Sequence, residues 1–509
     1  MKRIQPYIPG ILLFLLAFII ALLVYQDYGM AWDEPIQRET GVINYNYVFN
    51  NDQSLFTQAT DHHGAAFELT LYEVEKWLHL TDSRDLYLMR HLVTHLFFLV
   101  SALSGYILVY RLFGNRFLAC LGFIMLAFAP RLYAHSFFNS KDLPFSSMSV
   151  IIFALCQLAF SKKKPIYFAL LGIAAGYATG IRVMGIMYAA IILVFLLIDI
   201  ISGLVKREKI QLVTFFAAVF IIAFSGALYI SWPYLWKAPV RHFTESYAAL
   251  AHYNLWNGHI LFRGVVISSS QMPWTYFPVW FLISNPPFWL LTGFGGIGWF
   301  ILKLVRRPFY FITNVPDRNF LLYLLCFFAP VAAVVVFHSV IYDDWRHLYF
   351  VYPSFVLLSL YCINGLMKSK LKFIAAACCA IQVGFIGWFM VSNHPFQQVY
   401  FNAFVSHKPE YLRKNYDLEY WGCSYKQALE YLVKQYPTGT INVEWDMNPL
   451  ANNIMMLQKR DRERIAMLDH AGDYRITTFR LHPEDFPYPK VEYSIQVLNS
   501  TILCVYKMH

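Results

Sequence analysis

Residues 166–201 read IYFALLGIAAGYATGIRVMGIMYAAIILVFLLIDII, one long apolar run with basic loops on both sides, SKKKP at 161–165 and KREK at 206–209. Short loops rich in Lys and Arg stay on the cytoplasmic face of a membrane. A run bracketed by two of them must therefore go out and come back. At ~1.5 Å per residue, 36 residues can just make two crossings of a ~30 Å core. The break is expected in GYATGIRVMG, where Gly176, Gly180 and Gly185 loosen the helix.

The same parity organises the rest. Apolar segments run at about 8–26, 91–112, 117–135, 143–160, 210–232, 276–302, 319–338, 347–366 and 371–391, punctuated by further basic loops at 111–116, 303–308 and 368–372. The expectation is a polytopic α-helical membrane protein of about 11 transmembrane helices, N-terminus cytoplasmic and C-terminus outside. The first segment is uncharged from Arg3 to Asp27 and has no small-residue cleavage site, so it reads as a retained span and not a signal peptide. A chain that is 58% hydrophobic and 14% charged, with a mean hydropathy of +0.44, is neither a soluble nor a disordered protein. Its net charge of +10 is accounted for by the basic loops, and nucleic acid is not needed to explain it.

The outer segments are then 27–90, HSFFNSKDLP at 135–144, the bend at Arg182, 233–275, IYDDWRH at 341–347, and everything after 392. Within the first, Phe67, Leu71, Val74 and Leu78 fall at helical spacing, with Glu68, Glu75, Lys76 and His79 elsewhere on the wheel, so a helix lying in the interface is expected. The tail is charged and carries β-like runs (TINVEW, YRITTF, SIQVLN, TILCVYK) around SYKQALEYLVKQY. Residues 392–509 are expected to form a small extracytoplasmic α/β domain on a transmembrane catalytic domain of 1–391. Six of the eight cysteines lie in apolar stretches, where they fill core; Cys423 and Cys504 could pair in an oxidising compartment.

Five groups of residues carry candidate chemistry. Asp33 and Glu34, between Trp32 and Pro35, follow the first span directly. Isolated loop acids would be solvated and inert, but a carboxylate at the hydrocarbon edge is partly desolvated and becomes a better proton acceptor. Asp142, in NSKDLP, begins a span, where an acid also serves a helix N-terminus. Arg182 interrupts an apolar stretch at a cost of ~2.5–3.5 kcal/mol, which calls for an anionic partner, either a substrate or an internal acid such as Asp142 or Asp33. Arg346 and His347 open a span beside Asp343 and Asp344, as an anion site or a self-neutralised cluster. His62-His63 has no metal-ligand spacing and reads as two loop histidines, although a phosphate or metal contact is open to them.

In this order and sidedness, WDEPIQRETG, DHHGAAFELTLYEVEKWL, NSKDLP, GIRVMG, YDDWRHLYFVYP, HPFQQVYFN and DLEYWGCSYKQAL resemble the protein O-mannosyltransferase and aminoarabinose-transferase superfamily of GT-C glycosyltransferases, in a bacterial branch with its own outer C-terminal domain. No β-trefoil-type insertion like that of the eukaryotic mannosyltransferases is present, which leaves the acceptor open among glycan, lipid and protein. The resemblance implies transfer of a sugar from a polyprenyl-phosphate donor at the outer face of a bacterial inner membrane. In it Asp33 would be the base, with Glu34 and Asp142 as supporting acids. Arg182, Arg346, His347 and Lys141 would be cations for the phosphate, and His62 or His63 a donor or metal contact. No cofactor is implied with certainty, and a divalent metal is left open. A lipid-sugar flippase would explain Arg182 equally well, but not the one-sided acids or the outer domain. A lipid-linked polymerase or ligase should crowd arginines into one outer loop, and 233–275 holds only Arg241 and Arg263. An inert envelope scaffold is the remaining rival.

Overall fold

A computed structural model of the chain describes residues 4–57, 64–251, 258–488 and 490–508. Helices make up most of it: α1 (Ile8–Val24), α2 (Glu34–Asn50), α3 (Ala66–Trp77), α4 (Ser83–Phe113), α5 (Arg116–Ala127), α6 (Pro130–Phe138), α7 (Asp142–Lys162), α8 (Pro165–Ile181), α9 (Ile186–Val205), α10 (Gln211–Ser231) and α11 (Pro239–Ala251). After the hairpin β1 (His259–Phe262) and β2 (Val265–Ser268) come α12 (Tyr276–Ser284), α13 (Pro287–Arg306), α14 (Tyr310–Thr313), α15 (Val315–Val336), α16 (Tyr352–Met367) and α17 (Lys372–Ser392). The tail adds α18 (Pro409–Asn415), α19 (Tyr425–Gln435), β3 (Ile441–Glu444), α20 (Asn448–Ile454), α21 (Lys459–Arg462), β4 (Ile465–Leu468), β5 (Tyr474–Thr478), β6 (Lys490–Val497) and β7 (Ser500–Lys507).

Among the described residues nine helices are long and apolar enough to cross a membrane, and the α5–α6 pair, bent by 55°, makes a tenth if it counts as one span. The difference from the expected eleven is α8, whose 17 residues leave it about a turn short of the ~20 a straight crossing needs. Leu23, Val205, Ile222, Trp388 and Val391 are each more than 70% exposed, an apolar outer surface of the kind lipid covers.

The apolar run of 166–201 does break where the glycines cluster. α8 ends at Ile181, Arg182 is extended (φ −142°, ψ 129°), and a short 3-10 turn leads into α9. Gly172 and Gly176 do something other than loosen the helix: a Cβ on either would collide with the α10 backbone at Phe220 or Phe224, so they let α8 and α10 pack closely. At the far end of α9, Asp199 accepts N–H groups from both terminal guanidinium nitrogens of Arg318 (2.7 and 2.8 Å), which neutralises that buried cation.

The tail forms a five-stranded sheet in the order β4-β3-β5-β7-β6, with β3 parallel to β4 and β5, and β7 antiparallel to β5 and β6. Cys423 and Cys504 are both buried free thiols, so the pairing open to them in the sequence is not made. Segment 233–275 is more structured than a plain loop, holding α11 and the β1–β2 hairpin, with Phe262 bridged to Tyr416. α3 leaves Glu73 and Lys76 exposed but buries two of its acids: Glu68 and Glu75 are inside with Phe67 and Leu71, Glu75 bonding Arg38 (2.6 and 3.0 Å) and Glu68 bonding Arg90. A buried carboxylate with an arginine partner defeats the simple amphipathic reading of that helix.

Candidate active site

The two consecutive acids part company at the start of α2. Asp33 is the N-cap but makes no side-chain capping bond, so its carboxylate is available elsewhere. It remains 36% exposed, with Oδ2 lying 3.4 Å from Arg346 Nη1. Glu34, one helical residue and so ~100° further round, turns inward and is 3% exposed. It accepts the backbone N–H of Ala31 (2.8 Å) and faces His91 Nε2 at 3.0 and 3.2 Å. One acid thus stays partly exposed beside Arg346 while the other braces the loop before it.

The turn between α6 and α7 supplies the next layer. Asn139 accepts the backbone N–H of Asp142 (2.9 Å) and donates to its carboxylate (3.0 Å), which fixes Asp142 at the first position of α7. Arg182, set free by the break after α8, donates from Nη1 to the same carboxylate. Ser140 donates to Glu68, tying this turn to α3. Lys141 lies between these groups, and burial together with the Arg182 charge lowers its ammonium to about 8.

Arg346 is the hub. Its guanidinium has three carboxylates around it, Asp33 at 3.4 Å, Asp142 at 3.6 Å and Asp343 at 3.7 Å. Its two faces are covered by Tyr342 (4.8 Å) and Trp421 (4.6 Å). A buried cation needs such pairing, and stacking on aromatic faces adds about 0.5–2 kcal/mol. Arg346 Nε and His347 Nδ1 are buried without a hydrogen-bond partner among the described residues. Two adjacent unsatisfied ring or guanidinium nitrogens suit an oxyanion.

Beneath Arg346 the backbone passes through two consecutive left-handed residues, Asp343 (φ 54°) and Asp344 (φ 60°), which throw the two side chains to different partners. Asp344 accepts from Arg131 (2.9 Å), Tyr349 (2.7 Å) and Tyr420 (2.7 Å), whereas Asp343 accepts from Arg480 (3.0 Å). Burial raises both carboxyls, opposed by Arg480 at Asp343 and Arg131 at Asp344.

All the sequence candidates that are described converge here except Glu34, which acts through the loop. His62 and His63 lie outside the described residues. Missed by sequence reading were Asn139, Glu68, Trp421, Arg480 and Asn453. Asn453 donates to Met30 O (2.9 Å) and accepts from Met30 N (2.8 Å), while Trp32 N donates to Trp421 O (3.0 Å), so the tail holds the loop before Asp33. No linear spacing connects residue 453 to residue 30. The WDE and DLEYWGC stretches, both among the motifs that carry the resemblance, offered a hint. No group of three or more His, Cys, Asp or Glu among the described residues is arranged to hold a metal ion.

Residues 88–229 match the family model described as dolichyl-phosphate-mannose-protein mannosyltransferase, a stretch that includes Lys141, Asp142 and Arg182. No curated protein matches the chain. Among solved structures, the Archaeoglobus fulgidus oligosaccharyltransferase tethered to an NVT-sequon acceptor peptide superposes with a TM-score of 0.50 at 11% identity, over 89% of this chain and 63% of that one. The chain shares the fold of that oligosaccharyltransferase. The chain spans only 63% of the length of that oligosaccharyltransferase. ArnT from Cupriavidus metallidurans bound to undecaprenyl phosphate is also similar to this chain, at 11% identity and a TM-score of 0.47 over 97% of each chain. The family match over residues 88–229 and the shared fold are the two findings that bear on the chain's activity.

Proposed function

We propose that the chain is an inverting glycosyltransferase that moves a sugar from a polyprenyl-phosphate donor to an acceptor hydroxyl at the outer face of a bacterial inner membrane. The observation that carries this is the meeting of Asp33, Asp142, Arg182 and Arg346, from four separate segments, in one cluster with unsatisfied nitrogens on Arg346 and His347. The family description of residues 88–229 supports a lipid-phosphate sugar as donor.

The acceptor oxygen attacks the anomeric carbon and its proton passes to Asp33, the one partly exposed carboxylate touching Arg346. The sugar–phosphate C–O bond breaks, its electron pair leaving on the lipid phosphate. Arg346, Arg182 and Lys141 offset that growing charge, and the Nδ1 of His347, unpartnered among the described residues, can donate a hydrogen bond to it. Asp142 bonds Arg182 and faces Arg346 at 3.6 Å, and Glu34 steadies the loop through Ala31. A single displacement inverts the anomeric centre. A divalent metal would have to compete with guanidinium groups for these carboxylates.

Orientation follows from the helices. α7 begins at the site and ends at Lys162, and α16 begins just after it and ends beside Lys368, so the basic loops lie a helix length, ~30 Å, away from the site. Taking the basic loops as cytoplasmic, this separation supports an outer-face site, with 392–509 as the outer domain over a catalytic 1–391.

The test is transfer in proteoliposomes from a panel of radiolabelled polyprenyl-phosphate sugars onto extracted envelope acceptors. Product formation with one donor, inverted at C1 and lost in Asp33→Asn, is expected. Intact lipid-sugar crossing the bilayer equally fast in wild type and mutant would install the flippase instead.

A further inference from the structure

We propose that Trp421, in the tail, is a positioning residue that sets the place of Arg346 opposite Asp33. The inference rests on the transferase reading above. Trp421 meets three parts of the site at once. Its ring covers one face of the Arg346 guanidinium at 4.6 Å, its indole N–H donates to His135 Nε2 (3.3 Å), and its carbonyl accepts from Trp32 N (3.0 Å), one residue before Asp33. It is 2% exposed. The chain can turn directly after it because Gly422 is left-handed (φ 71°) with Pro449 against its α-carbon, where a Cβ would collide.

The same segment is anchored on both sides. Tyr420 donates to Asp344 (2.7 Å), and Arg480 donates to both Tyr420 O (2.8 Å) and Asp343 (3.0 Å). Among the described residues Arg346 has carboxylates only at 3.4–3.7 Å, longer than strong ionic hydrogen bonds, so these charge partners do not hold it to one position. The flat contacts do: Tyr342 from its own segment, and Trp421 from a segment 75 residues further along. Tyr342 belongs to the same loop as Arg346, four residues before it. Trp421 is the outside reference, and its backbone carries the loop of Asp33. The tail therefore completes the site instead of merely covering it.

Side-chain replacement leaves the Trp32–Trp421 backbone bond possible, so it isolates the stack. Trp421→Phe keeps a ring face and loses the indole N–H; Trp421→Leu keeps apolar volume and loses the ring. Trp421→Met is a second ringless variant. In sugar transfer the ringless variants should lose about tenfold in kcat with donor KM changed less than threefold, because the phosphate charge that Arg346 meets grows only as the bond breaks. Trp421→Phe should stay within threefold of wild type. Equal losses in Phe and the ringless variants, or wild-type kcat in both ringless variants, would overturn the proposal. Phenylglyoxal labelling of the folded full-length chain, read by mass spectrometry, tests position without turnover: Arg346 should be protected in wild type and Trp421→Phe and labelled in Trp421→Leu. If wild type neither transfers from any donor nor binds farnesyl phosphate, the transferase reading fails. The labelling still decides on Trp421, and unchanged protection in Trp421→Leu rejects it.

Discussion

Asp33→Asn and Glu34→Gln change adjacent residues by one atom each, and the structure assigns them opposite phenotypes. Asp33 is 36% exposed and its contact with Arg346 is 3.4 Å, so its loss should move stability by less than ~1 kcal/mol, the ceiling for exposed ion pairs. As general base it should carry a ~10²–10⁴-fold share of the rate. Glu34 is 3% exposed and accepts from Ala31 N at 2.8 Å while facing His91 at 3.0 Å. An amide there leaves an N–H against a donor. Losing a hydrogen bond to a buried charged group costs about 1.5–3 kcal/mol. Glu34→Gln should therefore lower the apparent melting temperature in detergent by several degrees yet keep turnover within about tenfold. The assay pairs initial rates in proteoliposomes with thermal melts of the same preparations. Wild-type rate in Asp33→Asn removes it as the base. A Glu34→Gln protein that melts normally but has lost turnover by a thousandfold exchanges the two roles.

Lys141, lowered to about 8 by burial and Arg182, is charged below that pH and neutral above it, so donor KM should rise between pH 7 and 9. Lys141→Arg, which stays protonated, should flatten that dependence, and an unchanged slope would take Lys141 out of the phosphate site. Because Asp33, Asp142 and Asp343 already face Arg346, transfer should survive EDTA within twofold; loss restored by Mn²⁺ would replace the arginine with a metal as the charge carrier. Glu419, on the same tail segment as Trp421, is raised from its usual 4.5 to about 7, chiefly by burial. The folded state then holds more protons than the unfolded state between those values. Its contribution is therefore full below about 4.5 and lost as pH rises through about 7. The melting-temperature gain on going from pH 8 to 5.5 should be larger in wild type than in Glu419→Gln, and equal gains would refute the assignment.

Much of this was open to reading from the chain itself. Hydropathy and basic loops are local properties set by transfer from water to lipid, so the spans and the break at Arg182 could be located residue by residue. A charge in an apolar run also announces itself, which is why Asp33, Asp142, Arg182 and Arg346 stood out. What they touch was not legible. That Glu34 faces His91 while Asp33 faces Arg346 depends on the angle at which α2 leaves α1, and on a tail hundreds of residues away whose Asn453 and Trp421 hold the loop between them. The glycines of α8 looked like helix looseners because propensity is a property of one helix, while the close approach of α10 belongs to two. Burial of Glu68 and Glu75 is the same case: a carboxylate inside a bundle is affordable only with an arginine opposite, and which arginine is opposite is a fact of packing, not of order along the chain.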